Sequence, residues 1–333
     1  MKNRIQIIKI LGLFAFLILM GCNSRQQSDP KTEVVATDGR GKEIRLPYIA
    51  QRIVVLYPSL VDEVYMLQAG DRLVGIPQQV YEMEDTWQFL SELDDRIKNK
   101  SIPTPTYGGQ SGNVESIVGL KPDLVLTFNT DEDATGQLEN LGIPVFTFSS
   151  RDEKSILEEL TNIARLLGKE ERAEVITKYV KQEADAMRNA KIQSPKKAYY
   201  AWSKGRVMST SGKGSLIDMA IQLSGAQNAC PLPMENPNIS AETLYKWNPD
   251  LMVLWNSKVT DVYRLKELEA LPAVKNKQVF VMAPSFPFDP HTVKFLLFAK
   301  QIRHWAVPEY TQEQLNQDIA KAFEVLYAKK GML

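Results

Sequence analysis

The sequence predicts an α/β protein of two lobes, each built on a mostly parallel sheet, with one long α-helix joining them. Short apolar segments alternate with amphipathic segments, which is typical of βαβ units. This alternation stops at a long helical stretch and restarts after it, and one motif occurs in both halves of the chain. At 333 residues the chain is also longer than a single hydrophobic core usually supports.

Apolar runs bounded by Gly, Pro and Asp define the elements of the first half. Expected strands cover residues 52–57, 73–76, 123–128 and 144–148, and expected helices cover residues 60–68, 133–141 and 152–167. A further helix is expected over 169–192, a stretch without Pro or Gly. At 1.5 Å per residue it would be roughly 34 Å long, so we interpret it as a connector between lobes. A long surface helix within one lobe is the alternative.

After this helix the same alternation returns. Expected strands cover residues 198–202, 207–210, 250–255 and 278–282, and expected helices cover residues 216–223, 293–305 and 312–328. The division that follows is an N-terminal lobe over 34–168, a connecting helix over 169–192 and a C-terminal lobe over 193–333.

The first residues resemble a secretory signal, since three basic residues flank or precede an apolar run over 10–20. A membrane-spanning helix needs about 20 apolar residues, and this run is shorter. It ends in Leu-Met-Gly-Cys, which resembles the lipobox of bacterial lipoproteins, with Cys22 as the lipidated residue. We expect a signal peptide over 1–21 and a flexible polar tether over 22–33. An ordinary secretory signal is the alternative.

Charge and cysteine content exclude two classes of protein. The segment 1–21 carries three of the 40 Lys and Arg residues and none of the 40 Asp and Glu residues, so the mature chain is mildly negative. Nucleic-acid binding normally shows a basic footprint, and none is expected here. Cys230 is the only cysteine besides Cys22, so no disulfide framework is expected.

One motif occurs once in each half. A cap residue, Asn113 or Ser240, is followed two positions later by a glutamate, Glu115 or Glu242, and further on by Pro-Asp-Leu and a strand. Asn and Ser are good N-caps, so both glutamates fall in the first turn of a helix. There they complement the helix dipole, worth about 0.3–1 kcal/mol. They can also form a matched pair, one per lobe, that docks basic sockets on a symmetric partner. The two interpretations are compatible.

An ordered set of segments resembles the siderophore, haem and cobalamin class of periplasmic binding proteins, over nearly the whole mature chain. The segments are Thr-Asp-Gly-Arg-Gly-Lys-Glu-Ile-Arg-Leu-Pro at 37–47, Arg-Ile-Val at 52–54 with Pro-Ser at 58–59, Gly-Asp-Arg-Leu-Val-Gly-Ile at 70–76, Leu-Lys-Pro-Asp-Leu-Val-Leu at 120–126 and Leu-Gly-Ile-Pro-Val at 141–145. The resemblance implies the class III architecture: two Rossmann-like lobes, one connecting helix, limited lobe motion and a ligand between the lobes. It also implies that Glu115 and Glu242 dock arginines on the two permease subunits of an ABC importer.

Ligands of open α/β sheets lie beyond the carboxyl ends of the strands, and aromatic residues follow several of these ends. Aromatic rings suit a large organic ligand, and Lys204 and Arg206 can balance an anionic chelate, although any single aromatic residue can equally be local packing. The candidate ligand-binding residues are Tyr57, Ser59, Tyr107, Trp202, Lys204, Arg206, Trp255, Phe286, Phe288 and Asp289.

Histidine content argues against capture of a bare metal. The chain has two histidines, His291 and His304, and one cleft histidine does not make a metal site. An intact chelate is therefore the expected ligand, and no cofactor is expected. The glycine-rich turn at 108–112 precedes a helix and leaves an oxyanion such as molybdate or tungstate as an alternative.

The sequence contains no convincing catalytic motif. The segment 211–215 lacks the spacing of a phosphate loop, and no nucleophile elbow with a histidine partner is evident. We expect a monomeric, lipid-anchored, extracytoplasmic solute-binding protein that is not an enzyme and that delivers an iron-siderophore, corrinoid or haem to an ABC permease. An anchored hydrolase is the alternative from another class, and a sensor or adhesin is a third.

Overall fold

The computed structural model describes residues 33–105, 113–130, 132–202 and 204–331. The expected signal peptide, Cys22, Tyr107 and the glycine-rich turn lie outside these residues. Within the described ranges, no helix combines the length and the apolarity that crossing a bilayer requires.

The strands are β1 (Val34–Thr37), β2 (Glu43–Leu46), β3 (Ile53–Val55), β4 (Leu73–Gly75), β5 (Leu124–Phe128), β6 (Val145–Phe148), β7 (Lys197–Ala201), β8 (Gln227–Asn228), β9 (Leu251–Trp255) and β10 (Val279–Met282). The helices of the first half are α1 (Pro58–Met66), α2 (Gln79–Glu82), α3 (Glu84–Ser91), α4 (Asp95–Lys98), α5 (Val114–Gly119), α6 (Glu132–Asn140), α7 (Glu153–Leu166) and α8 (Glu170–Asn189). Those of the second half are α9 (Leu216–Leu223), α10 (Ala241–Trp247), α11 (Val259–Tyr263), α12 (Pro272–Lys275), α13 (Phe295–Ala306) and α14 (Gln312–Tyr327).

Two four-stranded parallel sheets form the centres of the two lobes, as predicted. Their orders are β4-β3-β5-β6 and β10-β9-β7-β8, which is one topology read in opposite directions. Strands β5, β6 and β9 are buried along nearly their whole length, because helices cover both faces of a parallel sheet. The antiparallel hairpin β1–β2 is separate from both sheets.

The repeated Pro-Asp pair has the same role in both lobes. The Asp123 carboxylate accepts hydrogen bonds from the backbone N–H groups of Gln51 and Arg52, at 2.8 and 2.9 Å. The Asp250 carboxylate accepts one from the backbone N–H of Lys197 at 2.7 Å. Each aspartate therefore ties the start of its own strand to the start of the first strand of its sheet.

One helix, α8, joins the lobes. It has 20 residues, so it is roughly 30 Å long, a little shorter than the expected helix over 169–192. Its buried face includes Ile176, Val180 and Ala184, and it packs against α7, α13 and α14. It therefore contacts both a helix that precedes it in the chain, α7, and helices that follow it, α13 and α14.

The expected strand over 207–210 is wrong. Lys204 and Gly205 have φ angles of 61° and 70°, so the chain turns back directly after β7. The returning segment makes only isolated bridges, from Arg206 to Trp202 and from Ser209 to Asn238. Because the chain reverses this close to the end of β7, the returning segment cannot form a continuous β-ladder with it.

A fully buried ion pair connects the lobes away from α8. The Lys294 ammonium, at the start of α13, lies 2.6 Å from the Asp62 carboxylate of α1, and both side chains are 0% exposed. Lys294 also donates to the carbonyl oxygen of Phe286 at 2.5 Å. The other Asp62 oxygen accepts from the Tyr327 hydroxyl of α14 at 2.7 Å. We call these four residues the inter-lobe network.

A second contact lies beside the network. The Asp85 carboxylate of α3 accepts hydrogen bonds from the backbone N–H and the hydroxyl of Ser285, at 3.0 and 2.8 Å, and from the backbone N–H of Phe286 at 3.1 Å. Charge-assisted hydrogen bonds are stronger than neutral ones, so this contact fixes the segment after β10 onto the first lobe.

Replacing Lys294 with Met should lower the free energy of unfolding by about 3–5 kcal/mol, because Asp62 would remain buried without its counter-ion. Urea unfolding followed by circular dichroism measures the loss. Lys275→Met, at an exposed lysine of the same lobe, is the matched control and should change stability little. A loss below about 1 kcal/mol for Lys294→Met would show that the pair contributes little to holding the lobes.

Candidate functional site

Half-buried aromatic side chains mark the carboxyl ends of the central strands in both lobes. Tyr57 follows β3 and Phe128 ends β5, and their rings meet edge to face at 4.9 Å between centroids. In the second lobe, Trp202 follows β7 and Trp255 ends β9. The carboxyl edges of the two sheets thus present aromatic surface, as the sequence predicted for Tyr57, Trp202 and Trp255.

The two tryptophans are held by specific contacts. The Trp202 indole N–H donates to the carbonyl oxygen of Thr210 at 2.9 Å, and its ring lies edge to face on Tyr200 at 5.1 Å. Trp255 packs at 6.0 Å from Phe298 of α13. Both rings are therefore positioned by the core on the α13 side of the second sheet, while part of each remains accessible.

The other candidate residues differ in their surroundings. Ser59 is buried in the first turn of α1, whereas Lys204 and Arg206 are exposed. Phe286 is 4% exposed, with its ring 4.1 Å from the Lys294 ammonium and 5.5 Å from the Phe89 ring. Its side chain therefore belongs to the contact between the lobes. Phe288 is buried as well.

His291 is a cleft residue that the sequence analysis left out of the candidate set. Its Nδ1 lies 2.8 Å from the Asp289 carboxylate, and its ring lies 6.2 Å from Phe128 of the opposite lobe. Burial alone would lower the pKa of His291, but the charge and hydrogen bond of Asp289 outweigh it, so the pKa is raised above 6.5. Asp289 shows the converse: burial would raise its pKa, but His291 and Lys294 lower it.

Metal-ligating side chains are sparse in the part of the chain that the structure describes. It contains no group of three or more His, Cys, Asp or Glu residues placed to hold a metal ion.

The two motif glutamates occupy the same position in equivalent helices. Asn113 caps α5 by accepting from the backbone N–H of Ser116 at 3.0 Å, and Ser240 caps α10 by accepting from that of Thr243 at 3.2 Å. Glu115 and Glu242 are the second residues of these helices and are exposed.

The His291–Asp289 pair should titrate above the ordinary histidine range. Because the folded-state pKa of His291 is raised, protonated His291 contributes stability that is fully present below about pH 6.5 and is lost as the pH rises through the folded pKa, as long as Asp289 stays ionised. NMR titration of the His291 ring measures the midpoint. The His291 midpoint should lie above 6.5 and fall in Asp289→Asn. An unchanged midpoint in that variant would exclude the carboxylate as its cause.

The sequence and the fold match known proteins. The model of the family described as periplasmic binding protein matches residues 53–285. The uncharacterised ABC transporter substrate-binding lipoprotein YvrC of Bacillus subtilis is 26% identical over 307 residues, covering 85% of this chain and 91% of that protein. A cobalamin-binding protein of Halobacterium salinarum is 29% identical over 240 residues, covering 69% of this chain and 59% of that protein.

Solved structures share the fold. The periplasmic binding protein MolA of Haemophilus influenzae, solved with molybdate, superimposes with a TM-score of 0.74 at 18% identity, covering 89% of this chain and 98% of that chain. With two parallel-sheet lobes, one connecting helix and a family match across most of its length, the chain belongs to the periplasmic binding protein family of transport solute-binding proteins.

Proposed function

We propose that this protein is the lipid-anchored solute-binding component of an ABC importer. It captures a metal chelate, such as an iron-siderophore, a corrinoid or haem, between its lobes and delivers it to a permease dimer. It binds and transfers this solute without catalysing a reaction, and it acts as a monomer. The proposed lobes cover 34–168 and 193–333.

The observation that carries the proposal is the matched pair of glutamates. Glu115 and Glu242 lie at the same position of equivalent helices, one in each lobe, and both are exposed. A permease dimer with two-fold symmetry presents two equivalent surfaces. Two carboxylates held on a rigid frame can meet a basic group on each of them, which gives both steering and register.

The aromatic cleft supports a chelate as the solute. Tyr57, Trp202 and Trp255 offer ring surface to a large organic ligand, and Asp289 holds His291 between the lobes. The described residues hold no metal cluster, so a bound metal would keep the donors of its chelator. The cobalamin-binding relative is consistent with this class of solute.

Four further residues belong to the proposed ligand site. Ser59 and Phe288 lie near the same edge but are buried, and Tyr107 and Arg206 are proposed from their sequence positions.

The membrane anchor is proposed from the sequence. The apolar run over 10–20 ends at Cys22 in a lipobox-like tetrapeptide, and the relative YvrC is named a lipoprotein. A lipid on Cys22 would keep the protein bound to a membrane outside the cytoplasm, either in the periplasm or on the outer face of the cell membrane. A single acyl chain binds membranes only marginally, so stable anchoring needs more than one chain.

Replacing both Glu115 and Glu242 with Ala should abolish uptake while leaving solute affinity close to that of the wild type, because both carboxylates are exposed in the first turns of α5 and α10. Uptake of cobalamin, haem and a ferric siderophore is measured in cells that carry the cognate permease, and affinity is measured by ligand-dependent thermal stabilisation.

Glu171 and Glu313 provide the matched control for the docking test. They are the exposed second residues of α8 and α14, so their replacement by Ala removes the same helix-dipole interaction. Uptake should survive this double change. Full uptake by Glu115→Ala/Glu242→Ala would remove the docking assignment, while an equal loss in the control would assign the effect to helix stability.

Replacing Trp202 with Ala should weaken solute binding by about 0.5–1.5 kcal/mol or more, because a stacking surface is lost. Calorimetric titration with the solute that stabilises the wild type measures the change. Trp305→Ala is the control, since that ring stacks on Phe280 at 5.0 Å, away from the carboxyl edge. Equal affinities for Trp202→Ala and the wild type would exclude Trp202 from the site.

A further inference from the structure

A cavity of about 490 Å³ lies where the loops after β7 and β9 meet. Its lining residues are Lys204, Gly205, Asn256, Ser257, Lys258, Thr260, Asp261 and Arg264. Leu244 of α10 and Val262 of α11 belong to one buried cluster on this side of the sheet. Trp202 and Trp255 pack against the cluster on the other side, so the cavity is separate from the aromatic surface of the cleft.

The cavity is lined by more positive than negative side chains. Lys204, Lys258 and Arg264 line it together with a single carboxylate, that of Asp261. Asp261 uses one oxygen to accept the backbone N–H of Lys258 at 2.8 Å. Within the residues that the structure describes, none of the three cations forms an ion pair. Like charges that converge on one space repel, and a bound anion would remove that cost.

The backbone around the cavity is constrained. Lys204 and Asn256 have φ angles of 61° and 44°, in the left-handed region that costs free energy for residues other than glycine. The Lys204 N–H donates to the Asn256 carbonyl oxygen at 3.2 Å, and the Gly205 N–H donates to the Ser257 hydroxyl at 3.2 Å. These bonds hold the loops after β7 and β9 against each other at the cavity.

The position of the cavity relates it to the proposed docking surface. The segment after Lys204 bonds to the segment before α10, since the Ile239 N–H donates to the Met208 carbonyl oxygen at 2.9 Å. Helix α10 begins two residues later and carries Glu242. The cavity and the docking glutamate of this lobe therefore lie at the same edge of the same sheet face.

We propose that this cavity is an oxyanion-binding site that takes a phosphate group, held by Lys204, Lys258 and Arg264. Lysine and arginine are the residues that bind phosphate in proteins, through charge-assisted hydrogen bonds. The phosphate has two possible sources, free phosphate in solution and the headgroup of an anionic lipid. The second follows from the proposed anchoring at Cys22, whereas phosphate binding itself does not depend on the proposed function.

The first arm of the test uses inorganic phosphate, titrated at constant ionic strength and followed by ³¹P NMR. The triple variant Lys204→Gln/Lys258→Gln/Arg264→Gln should bind phosphate about tenfold more weakly than the wild type, or not at all, because it lacks the charge-assisted contacts. The control is Lys266→Gln/Lys275→Gln/Lys277→Gln, which removes the same charge from exposed positions of the same lobe and should bind like the wild type.

The second arm measures co-sedimentation with vesicles of phosphatidylglycerol and of phosphatidylcholine, with every protein in a Cys22→Ser background that removes the lipid anchor. Binding to phosphatidylglycerol alone that is lost only in the cavity variant identifies a headgroup as the source. Loss in the phosphate arm alone identifies free phosphate. If the cavity variant and the control behave alike in both arms, the site does not exist. That result would leave the uptake test of the glutamates unaffected.

Discussion

The buried ion pair between Lys294 and Asp62 is the contact on which the arrangement of the two lobes depends. Connecting helix α8 alone would leave the lobes free to bend about its ends. The ion pair, the Tyr327 hydroxyl and the Asp85 contact tie α1 and α3 of the first lobe to α13, α14 and the segment after β10 of the second. Two separated connections restrict a hinge in a way that one connection cannot.

This constraint explains how one frame serves two kinds of contact. The carboxyl edges of the two sheets stay close enough for His291 to reach Phe128 of the other lobe, so the cleft is formed before a solute arrives. A preformed site avoids the ordering cost of binding. The same frame fixes the separation between Glu115 and Glu242, which a pair of docking contacts requires. On the second sheet the two proposed sites lie on different faces, with aromatic residues on the α13 side and cations on the α10–α11 side.

The sequence predicts the parts of this molecule that depend on local pattern. Apolar runs predicted strands β5, β6 and β9, because parallel strands are buried on both faces and are therefore apolar along their length. The repeated motif predicted the starts of α5 and α10 and the position of their glutamates, because an N-cap residue bonds only to neighbours in the chain. The connecting helix was predicted because no helix-breaking Pro and no Gly interrupts the stretch. Helices α2–α4, by contrast, have at most eight residues each, too few to show a helical period.

The features that the sequence could not predict depend on contacts between residues that are far apart in the chain. Lys294 and Asp62 are far apart in the chain. From the sequence alone each is predicted to lie on the surface, because charged residues are rarely buried. The phosphate cavity takes its cations from two separate loops, so no motif joins them. His291 was not among the candidate residues, since its ring contact with Phe128 joins positions that are far apart in the chain. The run over 207–210 has a strand-like composition, but the reversal at Lys204 removes the partner strand.

A distance measurement between the lobes tests the central claim most directly. Spin labels at Val118 on α5 and Tyr263 on α11, both exposed, can be introduced with Ser at Cys22 and Ala at Cys230. Double electron–electron resonance should then give one narrow distance distribution that saturating solute does not shift, and Lys294→Met should broaden it. Two populations in the solute-free protein, or a shift of about 2 Å or more on solute binding, would contradict a frame locked by the inter-lobe network.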